Sequence, residues 1–143
     1  MDPRLQAALD RQEIENLLVR YAAALDTHDW ALLSTCFTDD VHYAFAHAGD
    51  VDGFEAVAAV CRRSLGPLDA SQHLVGAALV EVDGDTARSR CSFQAQHVLR
   101  GEKYVVAGTY LDELRRTKAG WRIARRELQR VWTDGNPAVL ARE

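Results

Sequence analysis

Residues 73–132, HLVGAALVEVDGDTARSRCSFQAQHVLRGEKYVVAGTYLDELRRTKAGWRIARRELQRVW, decide the fold. Three turn signals cut this stretch into four runs of period-two alternation. Asp83-Gly84 is a strong two-residue hairpin signal, because Gly tolerates the positive φ that a tight turn demands. Arg100-Gly101-Glu102 and Lys118-Ala119-Gly120 mark the other two turns. The runs His73–Val82, Ala87–Leu99, Tyr104–Arg115 and Trp121–Trp132 therefore predict a four-stranded antiparallel meander.

Upstream the period changes. Ile14, Leu17, Leu18, Tyr21 and Leu25 form an apolar stripe at helical spacing within residues 4–26. Asp29 is placed to cap a short second helix opening at Trp30. Thr38-Asp39-Asp40 reads as a break before a short strand, Val41–Ala46. Asp52–Leu65 returns to helical character until Gly66-Pro67 stops it. Helices followed by a sheet predict an α+β domain over residues 1–143, with the helices packed on one face of a curved sheet.

Composition excludes several classes. The 143 residues are 48% hydrophobic and 27% charged, with a net charge of −4. That balance suits one globular domain and does not suit a nucleic-acid binder, which needs a basic footprint. No run of residues is long and apolar enough to span a membrane, and the charged N-terminus lacks a secretory pattern; a cytoplasmic protein is expected. Seven basic residues between Arg115 and Arg130 read as the wet face of strands. Cys36, Cys61 and Cys91 lack metal or disulfide spacing and read as small buried hydrophobes. No metal signature, phosphate loop or nucleophile elbow is present, so no cofactor is expected.

Acid–base chemistry remains. Asp26 lies where the first helix runs out, an unfavourable place for a carboxylate without a donor partner. His73 opens the first long strand on a face that continues through Val75, Ala77 and Leu79, which predicts an inward-pointing ring. Phe93, Val106, Leu79 and Trp132 are expected in the pocket wall or core. His28 falls in an exposed turn, and the spacing leaves His97 open.

The segments YAAALD, DWALLSTCFTDDVHY, SQHLVG and AGTYLDELRRTKAGWRIARRE, in this order, resemble the SnoaL-like branch of the NTF2-like superfamily across nearly the whole chain. The resemblance implies a cone-shaped curved antiparallel sheet with N-terminal helices over it, enclosing an apolar pocket. Within the branch the chain looks like scytalone dehydratase, the bile-acid 7α-dehydratase and the hexachlorocyclohexane dehydrochlorinase. It implies an Asp26–His73 dyad with Tyr21, Tyr43 and Arg126 as further catalytic residues. Arg126 competes with Arg122, Arg125 and Arg130 for the inward position. The second pocket His and the Asn of scytalone dehydratase have no clear counterpart near Gln94, Gln96 and His97, and Arg20 and Tyr21 replace the dehydrochlorinase's pocket Lys.

The expected activity is a cofactor-independent lyase, a dehydratase acting by β-elimination on a polyketide-, steroid- or aromatic-like hydroxy-carbonyl substrate. The alternatives are an isomerase or cyclase using the same dyad, or a non-catalytic small subunit of an aromatic-ring dioxygenase. A small hydrophobic substrate and a homo-oligomer, dimer or trimer, are the expected partners. Thr133–Glu143 is a candidate lid.

Overall fold

The computed structural model describes residues 1–140 and places three helices against one six-stranded sheet. Helix α1 (Pro3–Asp26) starts where the Asp2 side chain accepts the Arg4 N–H and Pro3 pre-sets φ at the first helical position. Its predicted stripe is buried in full: Ile14, Leu17, Leu18, Tyr21 and Leu25 all face the core. Each such side chain contributes roughly 1.5–3 kcal/mol of burial, so the stripe fixes which way the helix faces. Helix α2 (Trp30–Ser34) is capped by Asp29, whose carboxylate accepts the Leu32 N–H at 2.9 Å.

Strand β1 (Phe37–Phe45) begins four residues earlier than the alternation predicts, so Thr38-Asp39-Asp40 is strand and not a break. The pairing is irregular between Phe37 and His42, and Asp40 is held from outside by Arg115. Strand β2 (Gly49–Asp52) pairs with β1, which delays α3 (Phe54–Leu65) to a start after Gly53. Gly53 has φ 87, a conformation that favours Gly.

The meander is present as β3 (Ala70–Asp83), β4 (Thr86–Leu99), β5 (Glu102–Thr117) and β6 (Gly120–Gly135). The strand order is β2-β1-β6-β5-β4-β3, with β1 parallel to β6 and every other pair antiparallel. The sheet is curved and unclosed, and its concave face is covered by α1 and α3.

Three bulges shape this sheet. One extra residue enters β3 between Val75 and Ala78, one enters β6 at Ala124, and one enters β6 at Val131. Each insertion exchanges the inward and outward sets beyond it. Two sequence expectations fail for this reason. Leu79 is 74% exposed and Trp132 is 48% exposed, both on the outer face instead of the core. Phe93 and Val106 are buried as expected. The three cysteines are free and buried.

Beyond β6 a single 3-10 turn, Pro137–Val139, brings Leu140 back to the concave side. Of the candidate lid Thr133–Glu143, residues 141–143 lie outside the described residues.

Candidate active site

A cavity of about 60 Å³ lies between α1, α3 and the concave face of the sheet. Its wall is mostly apolar, with Leu25, Val60, Leu65, Phe93, Val106 and Leu128 among the contributors. Into this wall the fold sets His73, His97, Tyr21, Tyr43 and Tyr110.

Asp26 closes α1 and meets the start of β3. Its Oδ1 accepts from His73 Nδ1 at 2.7 Å and from Ser71 Oγ at 3.3 Å, and its Oδ2 accepts the His73 backbone N–H at 2.8 Å. A carboxylate only accepts, so Nδ1 carries a proton, and in the neutral ring Nε2 keeps its lone pair. Three donors offset the repulsion a carboxylate meets at the carbonyl end of a helix. The side chains of His73 and Asp26 are 7% and 22% exposed, so the pair is shielded without being sealed.

His97, left open by the sequence, stands beside this pair. Its ring meets that of His73 edge to face with centroids 5.9 Å apart. His97 Nδ1 donates to the Tyr104 carbonyl at 2.9 Å, which leaves Nε2 as an acceptor. Burial pushes its pKa down to about 4, outweighing the Tyr104 hydrogen bond, so the ring is neutral near pH 7. Phe93, Ala95 and His97 alternate inward along β4, and that period was a usable signal.

The tyrosines form the opposite wall. The Tyr21 and Tyr43 hydroxyls lie 3.1 Å apart, and Tyr110 packs edge-on against Tyr21. Burial raises the Tyr21 and Tyr110 phenols well above their ordinary value and pushes Tyr43 up to about 12. All three are therefore neutral hydrogen-bond donors. Tyr110 was not singled out from the sequence.

Arg126 sits differently from the expectation. It is fully buried behind the tyrosines and pairs with Asp112, Nε to Oδ1 at 2.7 Å and Nη2 to Oδ2 at 2.8 Å. It is not among the residues lining the cavity. Its guanidinium lies 4.3 Å and 4.0 Å from the Tyr21 and Tyr110 ring centres, contacts that favour the cation and orient both rings. Arg122 donates to the Ser34 carbonyl, Arg125 faces solvent, and Arg130 reaches the cavity. Among the described residues no group of three His, Cys, Asp or Glu side chains is placed to hold a metal ion. No helix among them is long and apolar enough to cross a membrane.

The chain matches the SnoaL-like domain family over residues 6–127. The uncharacterized protein Rv2910c of Mycobacterium tuberculosis is 36% identical over 121 residues, covering 82% of each chain. A solved NTF2-like protein with a cystatin-like fold from Novosphingobium aromaticivorans is 34% identical, with a TM-score of 0.75 over 95% of this chain and 90% of that one. A hexachlorocyclohexane dehydrochlorinase is similar in fold alone, at 17% identity and a TM-score of 0.80 over 93% of this chain and 90% of that one. With its helices, its curved six-stranded sheet and these relatives, the chain belongs to the SnoaL-like domain family of the NTF2-like superfamily.

Proposed function

We propose that the protein is a cofactor-independent lyase, a dehydratase in which Asp26 and His73 work as a general-base dyad. The observation that carries this reading is the 2.7 Å contact between Asp26 Oδ1 and His73 Nδ1, with the ring on the cavity wall. His73 Nε2 removes a proton from the carbon beside a substrate carbonyl. The C–H electron pair becomes the new C=C bond as the C–O bond to the leaving hydroxyl breaks. The imidazolium, stabilised by Asp26, returns its proton to that hydroxyl, and water leaves with His73 neutral again.

Tyr21 and Tyr43 supply the hydrogen bonds that stabilise the developing oxyanion. One phenol proton is spent between them, so the pair offers the other to the substrate. His97 Nε2 accepts from a substrate hydroxyl and orients it; with a pKa of about 4 it is a poor proton donor near neutrality. Arg126 acts through the tyrosine rings and touches no substrate.

The cavity bounds the substrate. About 60 Å³ holds roughly two waters at ~30 Å³ each. A second hollow of about 280 Å³ shares four lining residues with the cavity. A compact, single-ring hydroxy-carbonyl compound fits better than a steroid.

The test is turnover of such compounds by the wild type and His73→Ala, with product mass recorded. Loss of water from the product, abolished in the variant, supports the lyase. Product of unchanged mass, equally dependent on His73, assigns an isomerase or cyclase. Full turnover by His73→Ala rejects the dyad.

The reading includes a homo-oligomer formed through the outer face of the sheet. Leu74, Gln94, Ala107 and Trp132 are paired in one row across four strands, and Leu74, Val131 and Trp132 are exposed there. Sedimentation of the wild type and Trp132→Glu checks it: a dimer or trimer weakened by the charge is expected, and a monomeric wild type contradicts it.

A further inference from the structure

We propose that the cavity mouth is an oxyanion subsite, built by Arg130 and His47, so that the substrate is an amphipathic acid with its apolar body inside and its carboxylate or phosphate at the mouth. The proposal rests on the reading of the inner cavity as the substrate site and adds the substrate's charge.

Four residues, His47, Ser64, Arg130 and Leu140, line both the inner cavity and the chamber outside it. The two spaces therefore share a wall, and Arg130 and His47 belong to it. Arg63, at the end of α3, lines the outer chamber. Among the described residues lining either space there is no carboxylate.

Four other arginines of β5 and β6 have partners. Arg115 is paired with Asp40, Arg116 with Asp10 and Asp85, Arg126 with Asp112, and Arg122 with the Ser34 carbonyl. Arg130 makes no hydrogen bond or ion pair with any described residue. Its electrostatic neighbour is instead another potential cation. Burial and then the charges of Arg130 and Arg63 hold His47 below its ordinary pKa, while Ser64 Oγ lies 3.3 Å from His47 Nε2. An oxyanion between Arg130 and His47 satisfies the open guanidinium, which presents paired N–H donors matched to carboxylate or phosphate. It also removes the repulsion between the two side chains. The dyad lies deeper in the same space, so an anion fixed at the mouth sets how far the apolar body enters and which carbon reaches His73.

The experiment measures binding of 3-phenylpropanoate, 3-phenylpropanamide and 3-phenylpropyl phosphate to the whole protein by calorimetry, in the wild type and Arg130→Gln. Arg130 is exposed, so the substitution does not threaten the fold. The expected result is at least tenfold tighter binding of one or both anions than of the neutral amide, with the preference reduced to under threefold in Arg130→Gln. The stronger anion tells carboxylate from phosphate. The His47 imidazole signals should titrate at higher pH with the anion bound. Equal affinity for amide and anions, a preference that survives Arg130→Gln, or no binding by any of the three overturns the subsite. Turnover is not needed for this measurement: a dyad shown to be idle by His73→Ala leaves an anion preference standing, and a missing preference leaves the dyad standing.

Discussion

Asp26 grips His73 at two points, accepting the ring Nδ1–H on one carboxylate oxygen and the backbone N–H on the other, at 2.7 and 2.8 Å. One carboxylate therefore fixes both the position of the strand that carries the histidine and the tautomer of its ring. The two residues are 47 positions apart, so the contact also ties the end of α1 to the start of β3.

Asp26→Asn keeps the shape of the side chain and removes the charge. Its amide offers one acceptor where two N–H groups converge, so the ring loses its fixed tautomer. Turnover is expected to fall by about 10²–10⁴-fold, the usual contribution of a positioned base. Far-ultraviolet circular dichroism should be unchanged. A variant within threefold of wild type contradicts the role.

His97 makes stability depend on pH. Its folded pKa of about 4 lies below the value of 6.5 for an unperturbed ring, so the unfolded chain binds more protons between these limits. Stability contributed by the neutral ring is full above pH 6.5 and is lost as pH falls toward 4. From pH 7.5 to pH 5 the expected loss is about 2 kcal/mol. His97→Asn, which keeps a donor for the Tyr104 carbonyl, should remove that part of the slope. Urea midpoints at the two pH values check it.

Arg126 and Asp112 form a buried ion pair with no exposure on either side chain. Asp112→Ala leaves the cation uncompensated and should cost about 3–5 kcal/mol. The double replacement Arg126→Met, Asp112→Leu removes both charges and should recover most of that loss. Its turnover should still fall, because Tyr21 and Tyr110 lose the guanidinium that orients them. Denaturant melts separate the stability effect from the catalytic one.

Local signals were legible where local physics decides. The α1 stripe, the Asp29 cap and the three hairpin turns each depend on a few neighbouring residues, and all are present. The bulges were not legible, since a bulge is a relation between two strands and leaves no period of its own. Leu79 and Trp132 were placed inside for that reason. The parallel pairing of β1 with β6 joins residues about 80 positions apart, and nothing near Tyr43 points to its partner Arg126. In the site, Asp26, His73, Tyr21 and Tyr43 came from the resemblance and from helix and strand phase. The pairing of Arg126 with Asp112 is not legible locally, because Asp112 stands on another strand. His97 was within reach of simple alternation along β4.

Asp26 holds the neutral His73 ring with its proton on Nδ1 and its lone pair toward the cavity. The most direct measurement is the pair of imidazole nitrogen chemical shifts of His73 at alkaline pH, in the wild type and in Asp26→Asn. Nδ1 should be protonated and Nε2 bare in the wild type, with movement toward a mixture of tautomers in the variant. A wild-type His73 protonated on Nε2, or shifts that do not change when Asp26 is replaced, contradicts it.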